Sequence, residues 1–144
     1  MPNKAISNLL KARADIQPIK KDGSNPHFRS SYATLEGVIE AVTQPLSNHG
    51  FLLTHVTGSD EYGMFVTTEL ISEDDGVTVM RTRVPLVLGK NDMQGLGSAI
   101  TYARRYGIMS LLNLPAEDDD GNAASRSSGP SKGQAQSSGG DAWS

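Results

Sequence analysis

Arg104 and Arg105 stand side by side, with Tyr102 ahead of them, Tyr106 directly behind, and Thr101 opening the group. A guanidinium is permanently charged and presents a planar fork of donors that suits a phosphate. A tyrosine face accepts a stacked base. These five residues fall in the stretch Asn91 to Gly121, NDMQGLGSAITYARRYGIMSLLNLPAEDDDG. Helical spacing there directs Leu96, Ile100, Ala103 and Leu111 toward a core. A helix with one apolar stripe and one basic, aromatic-flanked stripe is suited to grip a nucleic-acid backbone. A second group of the same chemistry lies in QPIKKDGSNPHFRSSYATLEG, where Lys20, Lys21, Phe28, Arg29 and Tyr32 are spread over a loop with two turn signals. That loop suits a phosphate track with base stacking. Phe28 and Tyr32 serve equally well as plugs that hold the loop on the core.

Other chemistries fit the residues less well. Gly95 and Gly97 imitate the start of a dinucleotide fingerprint, but the third glycine is missing and a polar turn precedes them. Gly89–Lys90 is followed by Asn91, so the phosphate-loop pattern is not met and ATP hydrolysis is not expected. Asp118, Asp119 and Asp120 precede Gly121 without the alternate-position ligands or closing glutamate of a calcium loop. This trio reads as a weak magnesium site or as a solvated exit from the helix. His27, His49 and His55 show neither metal-ligand spacing nor a nucleophile constellation. No catalytic residue, metal or cofactor is assigned.

The elements that position these groups follow from periodicity. Ile6, Leu9, Leu10 and Ala14 are helically spaced within residues 3–16, with Asn3 or Ser7 as cap and Pro18 as terminator, predicting an amphipathic helix packed on the domain or on a neighbour. Thr34 caps a second helix whose apolar face is Leu35, Val38, Ile39 and Val42, and Pro45 is expected to end or kink it near Thr43. Three strands follow over 51–56, 62–71 and 76–88. Met64, Val66, Thr68 and Leu70 alternate with Phe65, Thr67, Glu69 and Ile71, while Val77, Val79, Arg81 and Arg83 oppose Met80, Val84 and Leu86. Short polar connections predict an antiparallel meander. Arg81 and Arg83 share a sheet face and are either solvated or a second basic patch. The long helix then begins near Asp92. Gly95 and Gly97 weaken it by about 1 kcal/mol each, which suits close approach by another backbone, a subunit or a phosphate. The expected fold class is α+β: N-terminal helices, a three-stranded antiparallel meander and a long helix, with helices on one sheet face.

Composition sets the outer limits. The 144 residues support one folded domain, taken as 1–121. Residues 122–144 are Gly/Ser-rich and are expected to be disordered, because so little apolar surface cannot offset the entropy of ordering. The net charge of −3 is unlike that of many nucleic-acid binders, but the charges are segregated. Ten of the 16 acids lie at Asp60–Glu61, Glu69–Asp75 and Glu117–Asp120, and six of the 13 Lys and Arg lie between Lys4 and Arg29. An acidic chain can therefore carry a basic surface. The absence of cysteine removes disulfides and thiolate zinc sites and suits a reducing cytoplasm. No apolar run approaches the roughly 18 residues of a membrane span, and no secretory signal opens the chain.

NPHFRSSYATLEGVIEAV with a following Gly50–Phe51, together with QGLGSAITYARRYGIMSLLNL and DDDGN, resembles the Erf-type (essential recombination function) single-strand annealing proteins of bacteriophages and prophages. The resemblance covers about residues 3 to 123. TYARRYG with DDDGN is its specific anchor, and the Asn-Pro…Tyr-Ala-x-Leu block is a weaker second one. It implies a β-β-β-α core related to the eukaryotic single-strand annealing mediators, assembled into homo-oligomeric rings or arcs. It also implies ATP-independent binding of single-stranded DNA and annealing of complementary strands during recombination in a bacterial host's cytoplasm. In the related class an arginine ahead of an aromatic-glycine pair faces the DNA groove. Arg104 and Arg105, ahead of Tyr106–Gly107, are the matching positions, and the choice between them stays open. On this reading Arg104 or Arg105 meets the phosphates with Thr101, Tyr102 and Tyr106 as further DNA-binding residues, while Lys20, Lys21 and Arg29 form the opposite wall, with Phe28 or Tyr32 near the sugars or bases. The alternatives are a single-stranded-DNA-protecting protein that does not anneal, and a metal-dependent nuclease built on Asp118 to Asp120. The tail ending in Asp141-Ala-Trp143-Ser144 reads as a docking peptide for a replication or recombination partner, or as an end with no partner.

Overall fold

In the computed structural model of the chain, residues 3–21, 23–25 and 30–115 are described. Phe28, Arg29, Asp118 to Asp120 and the tail from 122 to 144 lie outside the described residues. The chain divides into two compact units. The first comprises Met1–Ile19 and Thr34–Pro115, and the second includes Lys20–Ala33.

The first unit holds three helices and one sheet. Helix α1 (Lys4–Asp15) starts where the Asn3 side chain accepts the Ile6 N–H at 3.1 Å. It buries Ala12 completely, with Ala5 and Leu9 partly covered, while Ile6 and Leu10 are exposed. Of the expected stripe Ile6, Leu9, Leu10 and Ala14, only Leu9 is partly covered, so the buried row is rotated toward Ala5 and Ala12. That helix, α2 (Leu35–Asn48), is capped by Thr34, whose hydroxyl accepts the Gly37 N–H at 3.1 Å. Val38, Val42 and Leu46 form its buried row at four-residue spacing. Of the two expected outcomes at Pro45, an end is not seen: α2 runs through it to Asn48, so that Leu46 to Asn48 lie in its last turn. The Thr43 hydroxyl donates to the Ile39 carbonyl at 2.6 Å in the turn before the proline, and apolar packing of Leu46 holds the last turn in place.

Strands β3 (Phe51–Asp60), β4 (Gly63–Ser72) and β5 (Thr78–Pro85) form an antiparallel sheet in the order β3-β4-β5. The β3–β4 ladder runs unbroken from Phe51↔Ser72 to Asp60↔Gly63, so the strands are longer than their apolar cores suggest. Asp60 makes the two-residue connection by accepting the Tyr62 N–H at 2.8 Å, and Gly63 follows with φ 130°. The β4–β5 ladder shifts register between Leu70 and Ile71. Val66, Thr68, Leu70 and Ser72 are buried on one face of β4; the first three follow the expected alternation, whereas Met64 at the start of that set is exposed. On the other face Arg81 lies 3.3 Å from Glu69 and Arg83 lies 3.7 Å from Asp60. The Arg83 guanidinium also sits 3.9 Å from the centre of the Phe65 ring. Both exposed arginines are thus matched by carboxylates.

Helix α3 (Met93–Leu111) begins at Asp92, whose carboxylate accepts the Gly95 N–H at 2.7 Å. Its buried face starts with a row of small residues, Gly95, Ala99, Ala103 and Gly107, and continues with Ile108, Met109 and Leu111. Leu96 and Ile100 are only half-buried. A Cβ at Gly107 would run into the Thr68 hydroxyl, and one at Gly95 would run into the Lys90 carbonyl. The helix backbone therefore lies directly on β4 at one end and on the preceding turn at the other. At its C-terminus Arg13 Nε donates to the Leu112 carbonyl and Arg13 Nη2 to the Asn113 carbonyl, each at 2.6 Å. A cation on these carbonyls satisfies acceptors that the helix leaves open and complements its dipole.

The second unit shows an antiparallel pair, β1 (Gly23–Asn25) and β2 (Ser30–Tyr32), in the register Gly23↔Tyr32 to Asn25↔Ser30. The sequence predicts only a loop here, because three-residue strands are too short to show a period.

Gly97 is a control for Gly107, since a Cβ there meets nothing within 4 Å. Gly107→Ala is expected to destabilise the protein by about 1–3 kcal/mol through overpacking. Gly97→Ala is expected to stabilise it by up to about 1 kcal/mol through helix propensity. Chemical denaturation of both variants checks the opposed signs.

Candidate nucleic-acid interface

Helix α3 brings Thr101, Tyr102, Arg104, Arg105 and Tyr106 together. Tyr102 and Tyr106, one turn apart, stack with ring centroids 5.9 Å apart at an interplanar angle of 30°, and 56% and 42% of their surfaces face solvent. Arg105 lies beneath them rather than beside them. It is only 4% exposed, and its guanidinium is 5.4 Å from the Tyr102 ring centre and 4.8 Å from that of Tyr106. A cation held against two rings locks their orientation and contributes about 1–2 kcal/mol when desolvated. Thr101 is exposed, and its hydroxyl donates to the Gly97 carbonyl at 3.0 Å.

Arg104 has a different setting. It is half-buried, and no carboxylate among the described residues pairs with it. It lies close enough to His55 on β3 to influence that ring. Burial is the main reason that the His55 pKa falls from 6.5 to about 4, and the positive charge of Arg104 adds to it. His55 Nδ1 is hydrogen-bonded to the Thr68 hydroxyl at 2.9 Å, and its buried Nε2 has no partner among the described residues. At neutral pH this imidazole is uncharged. The sheet beneath Arg104 adds no cation, and Thr68, His55 and the Gly107 backbone meet at one place.

The remaining sequence candidates belong to the second unit or lie outside the described residues. Lys20 and Lys21 are exposed ahead of β1, and Tyr32 is half-buried on β2, opposite Gly23. Phe28 and Arg29 lie outside the described residues. The sequence reading missed His55 and Thr68, because the histidines were weighed only for metal-ligand and nucleophile spacing. The alternation of β3 places His55 on the face of Phe51 and Leu53, which was the available signal. No helix of the described residues is long and apolar enough to cross a membrane.

The ERF superfamily model matches residues 6–141. The chain belongs to the ERF superfamily, a family associated with phages and DNA recombination. No curated protein and no solved structure matches the chain.

His55 yields a pH dependence with a defined sign. Its folded pKa lies below the unfolded value, so the unfolded chain takes up the proton first. Stability from this group is fully present above about pH 6.5 and is lost as pH falls toward about 4. The thermal midpoint of the wild type should therefore drop more steeply than that of His55→Gln between these values. Parallel curves would refute the assignment.

Proposed function

We propose that the chain binds single-stranded DNA without ATP and anneals complementary strands in homologous recombination of a phage or prophage, working as a homo-oligomer in the cytoplasm of a bacterial host. One observation supports this reading above the others. Arg104 is an arginine uncommitted to any carboxylate among the described residues, on the helix that carries an exposed, stacked tyrosine pair. A cation unmatched by a carboxylate beside solvent-exposed tyrosine rings is the pairing that sequence-tolerant single-strand binding requires. Membership of a recombination-associated family directs the polyanion reading toward DNA.

On this reading Arg104 contacts phosphate directly and Arg105 acts from beneath, holding Tyr102 and Tyr106 ready for stacking. Thr101 supplies a hydroxyl on the exposed side of the helix. Lys20, Lys21, Phe28, Arg29 and Tyr32 are proposed as further DNA contacts of their own unit. Annealing needs no nucleotide hydrolysis, because pairing and stacking of the new duplex, about 1.4 kcal/mol per step, drive it once the backbones are held.

The two arginines should respond differently to substitution. Arg104→Ala is expected to weaken binding of an oligonucleotide and to lower the slope of log affinity against log salt by roughly 0.7 per lost phosphate contact. Arg105→Ala should mainly lower the thermal midpoint while leaving that slope near the wild-type value. An unchanged slope in Arg104→Ala would remove Arg104 from the interface. Mixing two complementary strands with the purified protein tests the activity itself: faster pairing supports an annealer, and slower pairing identifies a protector of single strands.

A further inference from the structure

Beside the exposed ring of Tyr102, the first half of α3 and the segment 87–90 enclose an open cleft of about 310 Å³. Gln94, Ser98 and Tyr102 follow one another at four-residue spacing along the helix, so they line one wall as a row. Val87, Gly89 and Lys90 line the cleft from the segment ahead of the helix. Val87 is 83% exposed and Lys90 is also exposed, so neither is committed to the core. No carboxylate lines the cleft among the described residues. Gly95 lies at its floor, where the Lys90 carbonyl approaches the helix too closely for any side chain.

These groups sort by chemistry. Tyr102 and Val87 offer aromatic and apolar surface, which suits the faces of a flat ring. Ser98 and Gln94 offer a hydroxyl and an amide, each able to donate and accept, which suits a polar ring edge of any identity. Lys90 offers a mobile cation at the rim, which suits a phosphate. A side chain from another protein copy would use the apolar surface and leave the cation and the amide idle. We propose that this cleft is a subsite for one unstacked nucleotide of a single strand, with the base against Tyr102 and Val87, its edge at Ser98 and Gln94, and its phosphate at Lys90. The inference rests on α3 being the single-strand-binding helix and adds a base-holding pocket, apart from Arg104, that is tolerant of sequence.

The test compares two oligonucleotides with equal numbers of phosphates, one carrying thymine throughout and one abasic throughout. They are titrated into the full-length wild type, Ser98→Phe, Lys90→Gln and Arg104→Ala. The wild type is expected to bind the thymine strand about tenfold more tightly, in line with base–aromatic stacking. Ser98→Phe fills the cleft and is expected to reduce the thymine preference severalfold, leaving what the other proposed aromatic contacts contribute. Lys90→Gln should weaken both strands, and Arg104→Ala should weaken both while preserving their ratio. Gln94→Trp fills the cleft from its exposed side and decides the matter if Ser98→Phe folds poorly. A thymine preference undiminished in both filled variants overturns the subsite. So does a wild type that binds both strands equally, although α3 would then still stand as a backbone grip. A change of sedimentation in the filled variants with an intact preference would assign the cleft to a neighbouring copy instead. Failure of the wild type to bind either strand would overturn the subsite and the single-strand reading together.

Discussion

The closeness of α3 to the sheet governs the arrangement of this protein. Gly107 lets the helix backbone rest on the Thr68 hydroxyl, and Gly95, Ala99 and Ala103 keep the rest of the row equally thin. Larger residues would raise the helix and open space beneath it, where packing contacts fall away steeply with distance. The low seat also determines which residues remain above the surface. With the small row turned down, Tyr102 and Tyr106 turn outward, and Arg105 is enclosed between rings and core. The polar contact between Thr68 and His55 lies at the same point, so a partly buried hydrogen bond sits beneath the helix near Gly107.

Charge is distributed by the same logic. Arg13 is used on the carbonyls that end α3, Arg81 and Arg83 face Glu69 and Asp60, and Arg105 is turned inward. These cations are occupied within the fold. Arg104 is not matched in this way among the described residues, and this explains how a chain of net charge −3 can still present positive charge to a ligand. The overall balance counts every acid equally, although carboxylates such as Asp60, Glu69 and Asp92 are engaged locally with a guanidinium or a cap N–H.

Much of this was legible in the sequence where local rules decide the outcome. Asn3 and Thr34 act as caps, α3 starts at Asp92, and the alternation along residues 64–71 separates the two faces of β4, although it does not say which is buried and Met64 is exposed. The long helix following the meander was equally plain. Failures came where partners distant in sequence intervene. Pro45 is carried inside α2 because tertiary packing of Leu46 outweighs a local break. The buried row of α1 follows small residues rather than large ones, since its partner helix sets the distance of approach. The neighbouring arginines looked equivalent in sequence. Only the angular step between positions 104 and 105, taken against a helix seated so low, separates an inward guanidinium from one near His55. The cleft beside Tyr102 depends on the path of residues 87–90, which no periodicity encodes.

The fork of Arg13 on Leu112 and Asn113 ties together residues 99 and 100 positions apart. The sheet, by contrast, is built from successive hairpins, and its pairings can form as soon as neighbouring strands exist. On a ribosome, α1 is made about 100 residues before the carbonyls that Arg13 must hold. At synthesis rates of about 5–20 residues per second, that separation is a wait of several seconds. During that interval Ala12 has no finished unit to pack into and the meander stands without its covering helix. Among the described residues this contact is thus one of the last to become possible, and α1 behaves as a clasp that cannot engage until α3 has been made.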